Sequence, residues 1–263
     1  MLASEGARVA INYTTNAGAA ADMLRLVTGA GGKGLIVQAD VSRQEDVERM
    51  VAQVIEELGT VELLVNNAGI AASAPHSEFE FADWKRMFEV NVNGPFLTTW
   101  AVKDATVTAG YGRIVNILSL ASVLLKETMI HYATTKAAVT AFTRQCSAAL
   151  ARHNIRVNCV APGLTDTDMA HGATPEMVDG LIAATPMRRM ADSGEIASVI
   201  RFLLSEESSF VTGQTIVACG GQEIRSFVQR IPQIPSSSHQ WVARKVSSSS
   251  WMAVGKPNLM RAI

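Results

Sequence analysis

Tyr132 and Lys136 stand four residues apart in the run Tyr132-Ala133-Thr134-Thr135-Lys136. On a helix this spacing sets a phenol and an ammonium on one face, one above the other. That is what a tyrosine working as acid and base requires. A free phenol titrates near pH 10, so working near neutrality asks for a fall of roughly 3 units, about 4 kcal/mol of preferential stabilisation of the phenolate. A cation beside it in a partly dry cleft supplies a large share of that. Alone, a Tyr-x-x-x-Lys pair recurs by chance in many helices, but here it has company. Ser119 closes an apolar run ending at Leu118, 13 positions before Tyr132, so that a strand-end hydroxyl can face the first turn of the next helix. Asn91 lies within a long helical stretch, and Asn66-Asn67-Ala68-Gly69 follows Val61 to Val65, at the kind of strand end where open α/β sheets bind ligands. The plainer alternatives are a buried hydroxyl bonded to backbone for Ser119 and a helix-bending amide for Asn91.

The elements that must hold these residues alternate. Strands are predicted at Arg8 to Tyr13, Leu35 to Val37, Val61 to Val65, Arg113 to Leu118, Ile155 to Val160 and Thr215 to Val217. Between them helical patterns run from Ala19 to Val27, through Val47, Met50, Val51, Val54 and Ile55, from Phe81 to Ala109, from His131 to Arg152, and from Ser193 to Leu204. Strand and helix in alternation build right-handed βαβ units on a parallel sheet, so the fold class is α/β and doubly wound, in a single domain over residues 1–222.

The 263 residues are 48% hydrophobic, enough to bury a sizeable core, and the net charge is −1. Neither a basic footprint for nucleic acid nor a polybasic block for an anionic membrane is present. Three cysteines without a CxxC and five histidines without zinc spacing predict reduced thiols, a cytoplasmic setting and no metal. The first residues lack the pattern of a signal peptide, and the longest apolar run, Ile114 to Leu125, is too short to span a bilayer.

Taken in order, Asn66-Asn67-Ala68-Gly69, Asn91, Ser119, Tyr132-x-x-x-Lys136, Arg156-Val157-Asn158 and Pro162-Gly163 resemble the short-chain dehydrogenase/reductase family, with wording closest to its 3-oxoacyl-carrier-protein reductase-like members. The resemblance covers residues 1 to about 222, and the joint pattern is far more specific than any one motif. It implies an oxidoreductase on a Rossmann-type sheet that moves a hydride, the 4-pro-S one, between NADP(H) and a carbonyl or secondary alcohol. Tyr132 is then the general acid/base, and Lys136 lowers its pKa and hydrogen-bonds the nicotinamide ribose. Ser119 orients the substrate oxygen, and Asn91 holds a water that relays protons to Lys136. The same resemblance sets Asp40 and Val41 at the adenine, Asn67, Ala68 and Gly69 at the adenosine ribose, and Pro162, Gly163 and Thr167 at the carboxamide and pyrophosphate. Asp40, like Ser42, also suits the cap of the helix that follows.

Cofactor choice rests on the end of the first strand, where Tyr13, Thr14, Thr15 and Asn16 stand. A carboxylate there would bond the ribose 2′-OH of NAD and repel a 2′-phosphate. Its absence favours NADP over NAD, although no arginine stands there to clamp the phosphate. Leu120, Leu124, Leu125 and Met129, with Leu164 and Met169, suggest an apolar carbonyl or alcohol substrate, and equally suit ordinary core. A homodimer or homotetramer through the two long helices is implied by the resemblance, and small residues such as Ala133, Ala137 and Ala141 allow close approach.

The sequence departs from the family pattern in three places. A complete member would begin with a strand, then Thr-Gly-x-x-x-Gly-x-Gly, then a helix, and this chain starts where that helix ends. The expected first strand and phosphate loop are therefore missing, and the absent strand belongs between Val9 to Tyr13 and Val61 to Val65. Ala218-Cys219-Gly220-Gly221 lacks the aspartate that relatives carry before the glycines. Residues 223–263, rich in Ser and Pro, with six basic residues and no acidic one after Glu223, read as a disordered appendage, or as one that adds a strand at Trp241 to Val246 or Trp251 to Val254. A catalytically silent binding or scaffold subunit is the rival function. A hydrolase is weaker still, because Ser119 has no Gly-x-Ser-x-Gly elbow.

Overall fold

A computed structural model describes residues 1–125 and 127–223. The chain divides into two units, Met1–Gln229 and Arg230–Ile263. From residue 224 on, the expectations for the C-terminal segment lie outside the described residues.

β-Branched runs bounded by turns form β1 (Val9–Tyr13), β2 (Gly34–Gln38), β3 (Leu63–Asn66), β4 (Gly112–Ile117), β5 (Ile155–Pro162) and β6 (Thr215–Ala218). Helices α1 (Ala17–Gly29), α2 (Gln44–Leu58), α3 (Phe81–Phe88), α4 (Gly94–Ala109), α5 (Ile130–Leu150), α6 (Asp168–His171), α7 (Pro175–Ala184) and α8 (Ser193–Leu204) connect them. Every strand pair is parallel. In α2 the residues Val47, Val51, Val54 and Leu58 recur at helical spacing and are buried, and Gly59 ends the helix at φ 91°.

The strands form two pieces: β1 pairs with β2, and β3, β4, β5 and β6 run in that order. Among the described residues no strand pairs with the second edge of β1 or with the second edge of β3. Helices carry the connection instead, since α2 packs on β1, β2 and α4, and α4 packs on β3 and β4. Burial follows the break. β4 and β5 are buried almost throughout, whereas β1 and β3 are largely half-exposed. The discontinuity falls between the two strands where the family comparison leaves a strand out.

The stretch expected as one helix from Phe81 to Ala109 is interrupted. Glu89–Asn93 takes π-helical form between α3 and α4. Pro95 has no N–H for the carbonyl of Asn91 four residues earlier, so the regular ladder cannot run through this point. Helices α6 and α7 were not anticipated. Thr174 caps α7 by accepting from Met177 N, Pro175 opens it, and none of its residues is buried, which leaves little apolar periodicity to read. Among the described residues no helix is long and apolar enough to cross a membrane, and no group of three or more His, Cys, Asp or Glu could hold a metal ion.

Candidate active site

At the C-terminal ends of β3 and β4 four of the expected side chains converge. Ser119 caps a single 3-10 turn just past β4, its Oγ accepting from Ala121 N at 3.2 Å, which leaves the hydroxyl proton free to donate. Tyr132, in the first turn of α5, is 7% exposed, with the Ser119 side chain near enough to oppose the rise of its pKa. One turn on, Lys136 is 6% exposed; its Nζ donates to the Ile117 carbonyl at 2.9 Å and lies 5.7 Å from the centroid of the Tyr132 ring.

Asn91 closes the back of this group. Its Oδ1 accepts from Ile70 N at 2.9 Å, and its Nδ2 faces Ile70 O at 2.9 Å and Thr135 Oγ1 at 3.2 Å. The side chain is thus committed to pinning the loop after β3 against α5. Gly69 sits close beneath it: a Cβ there would stand 3.2 Å from Asn91 Oδ1, a tight contact, and 3.5 Å from Lys136 Nζ. Ile70 and Thr135 are the site residues that sequence reasoning missed. Neither carries a chemical signal, and only the π-helical offset of Asn91 reveals them.

Burial dominates the electrostatics. It pushes the Tyr132 phenol above its ordinary value, the Ser119 hydrogen bond opposing it. It also pulls Lys136 down to about 8, because an ammonium loses its water there and gains one carbonyl. The expected depression of the phenol by Lys136 is therefore not found among the described residues.

From this we expect Lys136→Met to raise the melting temperature at pH 7 while disabling the site. A shift from 10.5 to about 8 corresponds to about 3 kcal/mol against the buried charge. Losing the bond to Ile117 returns about 1 kcal/mol of that. Below pH 8 both folded and unfolded lysines are charged and the cost is fully present; between pH 8 and 10.5 the folded state releases its proton and the cost fades. Calorimetry from pH 7 to pH 10 should show the variant's advantage shrinking with rising pH. An advantage that is absent at pH 7, or that grows with pH, contradicts the assignment.

A second group of expected residues lies at the ends of β1 and β2. Tyr13 is half-buried and Thr14 exposed, with Thr14 Oγ1 3.4 Å from Ala39 O. Asp40 Oδ1 accepts from Ser42 N at 2.9 Å and from Ser42 Oγ at 2.6 Å, and Oδ2 lies 3.6 Å from Arg86. The Ser42 hydroxyl, against partial desolvation, holds the Asp40 carboxyl below its ordinary value. Asp40 therefore organises its own turn, one oxygen on Ser42 and the other facing Arg86. Val41 is 7% exposed and packs with Val47, Val51, Val90 and Val102, so its side chain belongs to the core and any cofactor contact would use its backbone.

Asn67 and Ala68 are exposed at the end of β3, beside the Gly69 cradle. Pro162 and Gly163 leave β5 half-buried, a Cβ on Gly163 standing 2.8 Å from Cys219 Cα, and exposed Thr167 caps α6. These positions fit the ribose and nicotinamide end of a dinucleotide. A pyrophosphate cradle does not appear among the described residues. Gly29-x-Gly31-x-x-Gly34 has the spacing but leads from α1 into β2, at the opposite end of the sheet from Tyr132, and opens no helix.

Comparison with known proteins agrees with this geometry. Residues 1–223 match the family model described as enoyl-(acyl carrier protein) reductase. An uncharacterized oxidoreductase of Methylorubrum extorquens is 37% identical over 223 residues, covering 84% of this chain and 89% of its own. The 3-oxoacyl-[acyl-carrier-protein] reductase of Synechocystis sp. is 32% identical over 221 residues, covering 84% and 88%. Among solved structures, a gluconate 5-dehydrogenase from Burkholderia cenocepacia in complex with NADP and tartrate superposes with a TM-score of 0.78 at 34% identity, over 84% of this chain and 87% of that one. The chain belongs to the short-chain dehydrogenase/reductase family, as an oxidoreductase on a Rossmann-type α/β fold.

Proposed function

We propose that this protein reduces a carbonyl, or oxidises the matching secondary alcohol, with NADP(H). The observation that carries this reading is the Tyr132 phenol, kept protonated in a buried position beside the Ser119 hydroxyl. A bound nicotinamide supplies or accepts the hydride. Ser119, its Oγ already held by Ala121 N, donates its proton to the substrate oxygen and fixes it, and Tyr132 delivers the proton that completes the alcohol. Lys136, anchored on Ile117 O, faces the nicotinamide ribose. A water on the Asn91 carbonyl refills Lys136, since the Asn91 side chain is spoken for. Asp40 and the backbone of Val41, then Asn67 to Gly69, Pro162, Gly163 and Thr167 hold the cofactor. Tyr13 and Thr14, with no carboxylate beside them, favour NADP over NAD.

An apolar substrate is supported by Ile70 and Met129, which pack with Tyr132, Met87 and Ala121, and by exposed Val123, Leu125 and Met169. Leu120, 6% exposed, is core instead. Three free thiols fit a cytoplasmic setting.

Titration of tryptophan fluorescence tests the reading directly: NADPH should bind several-fold tighter than NADH, and NADPH should be consumed with acetoacetyl-coenzyme A. A folded chain that binds neither nucleotide favours the rival, a silent scaffold subunit.

Either role uses the same association. Phe96 and Trp100 stack 4.5 Å apart on α4 and meet Phe142 of α5 at 6.2 and 6.1 Å, with Phe96 40% and Trp100 45% exposed. Exposed Ala137 and Ala141 continue the surface on α5. We expect a homodimer or homotetramer through α4 and α5, and Trp100→Glu should halve or quarter the mass seen by light scattering. A monomeric parent chain at micromolar concentration would remove this expectation.

A further inference from the structure

A row of polar side chains crosses the four-stranded piece of the sheet in its dry interior. Asn66 of β3, Asn116 of β4, Cys159 of β5 and Thr215 of β6 are register partners. Asn66 is 8% exposed, and Asn116 and Cys159 are fully buried. Asn66 Nδ2 donates to Asn116 Oδ1 at 2.8 Å, and Asn66 Oδ1 accepts from Thr98 Oγ1 of α4 at 2.7 Å. Asn116 Nδ2 donates to Thr143 Oγ1 of α5 at 2.7 Å, and the Cys159 thiol donates to the same oxygen at 3.0 Å. Thr143, 1% exposed, is where this row meets the helix that carries Tyr132 and Lys136.

Two buried apolar side chains of α5 also pack on the sheet. Val139 packs with Leu118, Cys159 and Ala161, and Cys146 packs with Ile114, Ile155 and Val157. Such contacts are strong but non-directional, and tolerate a small slide or roll of the helix. Hydrogen bonds weaken steeply with angle and do not. α5 makes directional contacts to the strands at two levels: Lys136 on Ile117 O, and Thr143 on Asn116 and Cys159. The two levels are seven residues apart, about 10 Å along the axis, and together fix both the height and the rotation of the helix.

We propose that Thr143 is a positioning residue, whose hydroxyl, held by Asn116 and Cys159, pins α5 in the register that sets Tyr132 against Ser119 and Lys136 against Ile117. It touches neither substrate nor cofactor, and acts through the helix. The inference rests on Tyr132 being the acid/base group. Without the pin, the four side chains persist but the phenol loses its alignment, and a misplacement of about 1 Å can cost on the order of 100-fold in rate.

The test uses the full chain and three variants. Thr143→Val keeps the shape and removes the acceptor. Thr143→Ser keeps the hydroxyl. Asn116→Leu with Thr143→Val removes the donor left unpaired on Asn116, so that part of the lost stability returns, while Asn66 Nδ2 keeps Thr99 Oγ1 at 3.3 Å. With NADPH and acetoacetyl-coenzyme A, Thr143→Val should lose at least about 10-fold in kcat with both KM values within about twofold, and Thr143→Ser should stay within about threefold of the parent. The double variant should regain part of the melting temperature lost in Thr143→Val and none of the kcat. Activity that returns with stability, a serine variant as poor as the valine one, or a valine variant within about twofold of the parent overturns the proposal.

A readout independent of turnover is the tyrosinate absorbance of Tyr132, taken as the difference from Tyr132→Phe. In Thr143→Val its titration should move upward by about half a pH unit as the Ser119 hydrogen bond is lost. An unmoved titration also overturns the proposal. A parent chain that consumes no NADPH counts against the proposed reaction alone, because the titration still decides the role of Thr143.

Discussion

Tyr132→Phe should lose at least about 100-fold in kcat with NADPH affinity changed by less than about twofold, since it removes the one proton that moves and almost no volume. The substitution is well suited to the site. Tyr132 is 7% exposed, packed with Met87, Ala121, Ile70 and Met129, so the ring keeps its contacts and the helix its place. What disappears is the hydroxyl paired with Ser119. Ser119 retains its bond from Ala121 N. The measurement is steady-state NADPH oxidation together with a fluorescence titration of the cofactor. Retention of more than about a tenth of the parent kcat removes Tyr132 from the mechanism.

A still larger effect is expected from closing the break in the sheet. Fusing a strand-Thr-Gly-x-x-x-Gly-x-Gly-helix segment of a close relative ahead of residue 1 should raise the melting temperature by about 10 °C or more, and tighten NADPH binding by at least about 100-fold. The strand would pair with the open edges of β1 and β3, where backbone groups lack a strand partner among the described residues. An intramolecular hydrogen bond contributes about 0.5–1.5 kcal/mol net, so a strand of ordinary length paired on both sides adds several kcal/mol. The loop and helix N-terminus would add the amides that the site lacks for a pyrophosphate, and so hold the nicotinamide at Tyr132. Thermal unfolding and NADPH consumption of the two chains decide it. If the chain as it stands melts and turns over as well as the extended one, the two-piece sheet is complete in function and the topology argued above is wrong.

Much of this was legible in the sequence. The six strands and most helices announced themselves through β-branched runs and helical spacing, and α8 ends where its pattern ends, at Leu204. Tyr132, Lys136, Ser119 and Asn91 were readable because their chemistry fixes their spacing along two or three elements. What escaped was set by relations between elements. Ile70 enters the site through its backbone, which any residue possesses. Val41 was placed at the adenine with Asp40 by the family resemblance, which does not carry what the structure adds, that its side chain turns into the core. The phenol was expected low because a cation stands one turn away, but the desolvation that raises it depends on packing no local pattern contains. The Asn66–Asn116–Thr143 row was invisible for the same reason: its members are 50 and 27 positions apart in sequence.

The open edges of β1 and β3 have a consequence beyond catalysis. Sheets normally defend an edge with a charge directed along it, a proline or a bulge, and Val9-Ala10-Ile11-Asn12-Tyr13 and Leu63-Leu64-Val65-Asn66 carry none of these within the strand. Each presents a row of main-chain donors and acceptors with an apolar, uncharged border. To a nascent or partly unfolded neighbour, such a row is a template, and the same geometry that waits for one particular strand will accept others of similar composition. In a crowded cell the fate of the chain is then a competition among strands, settled by which one arrives first.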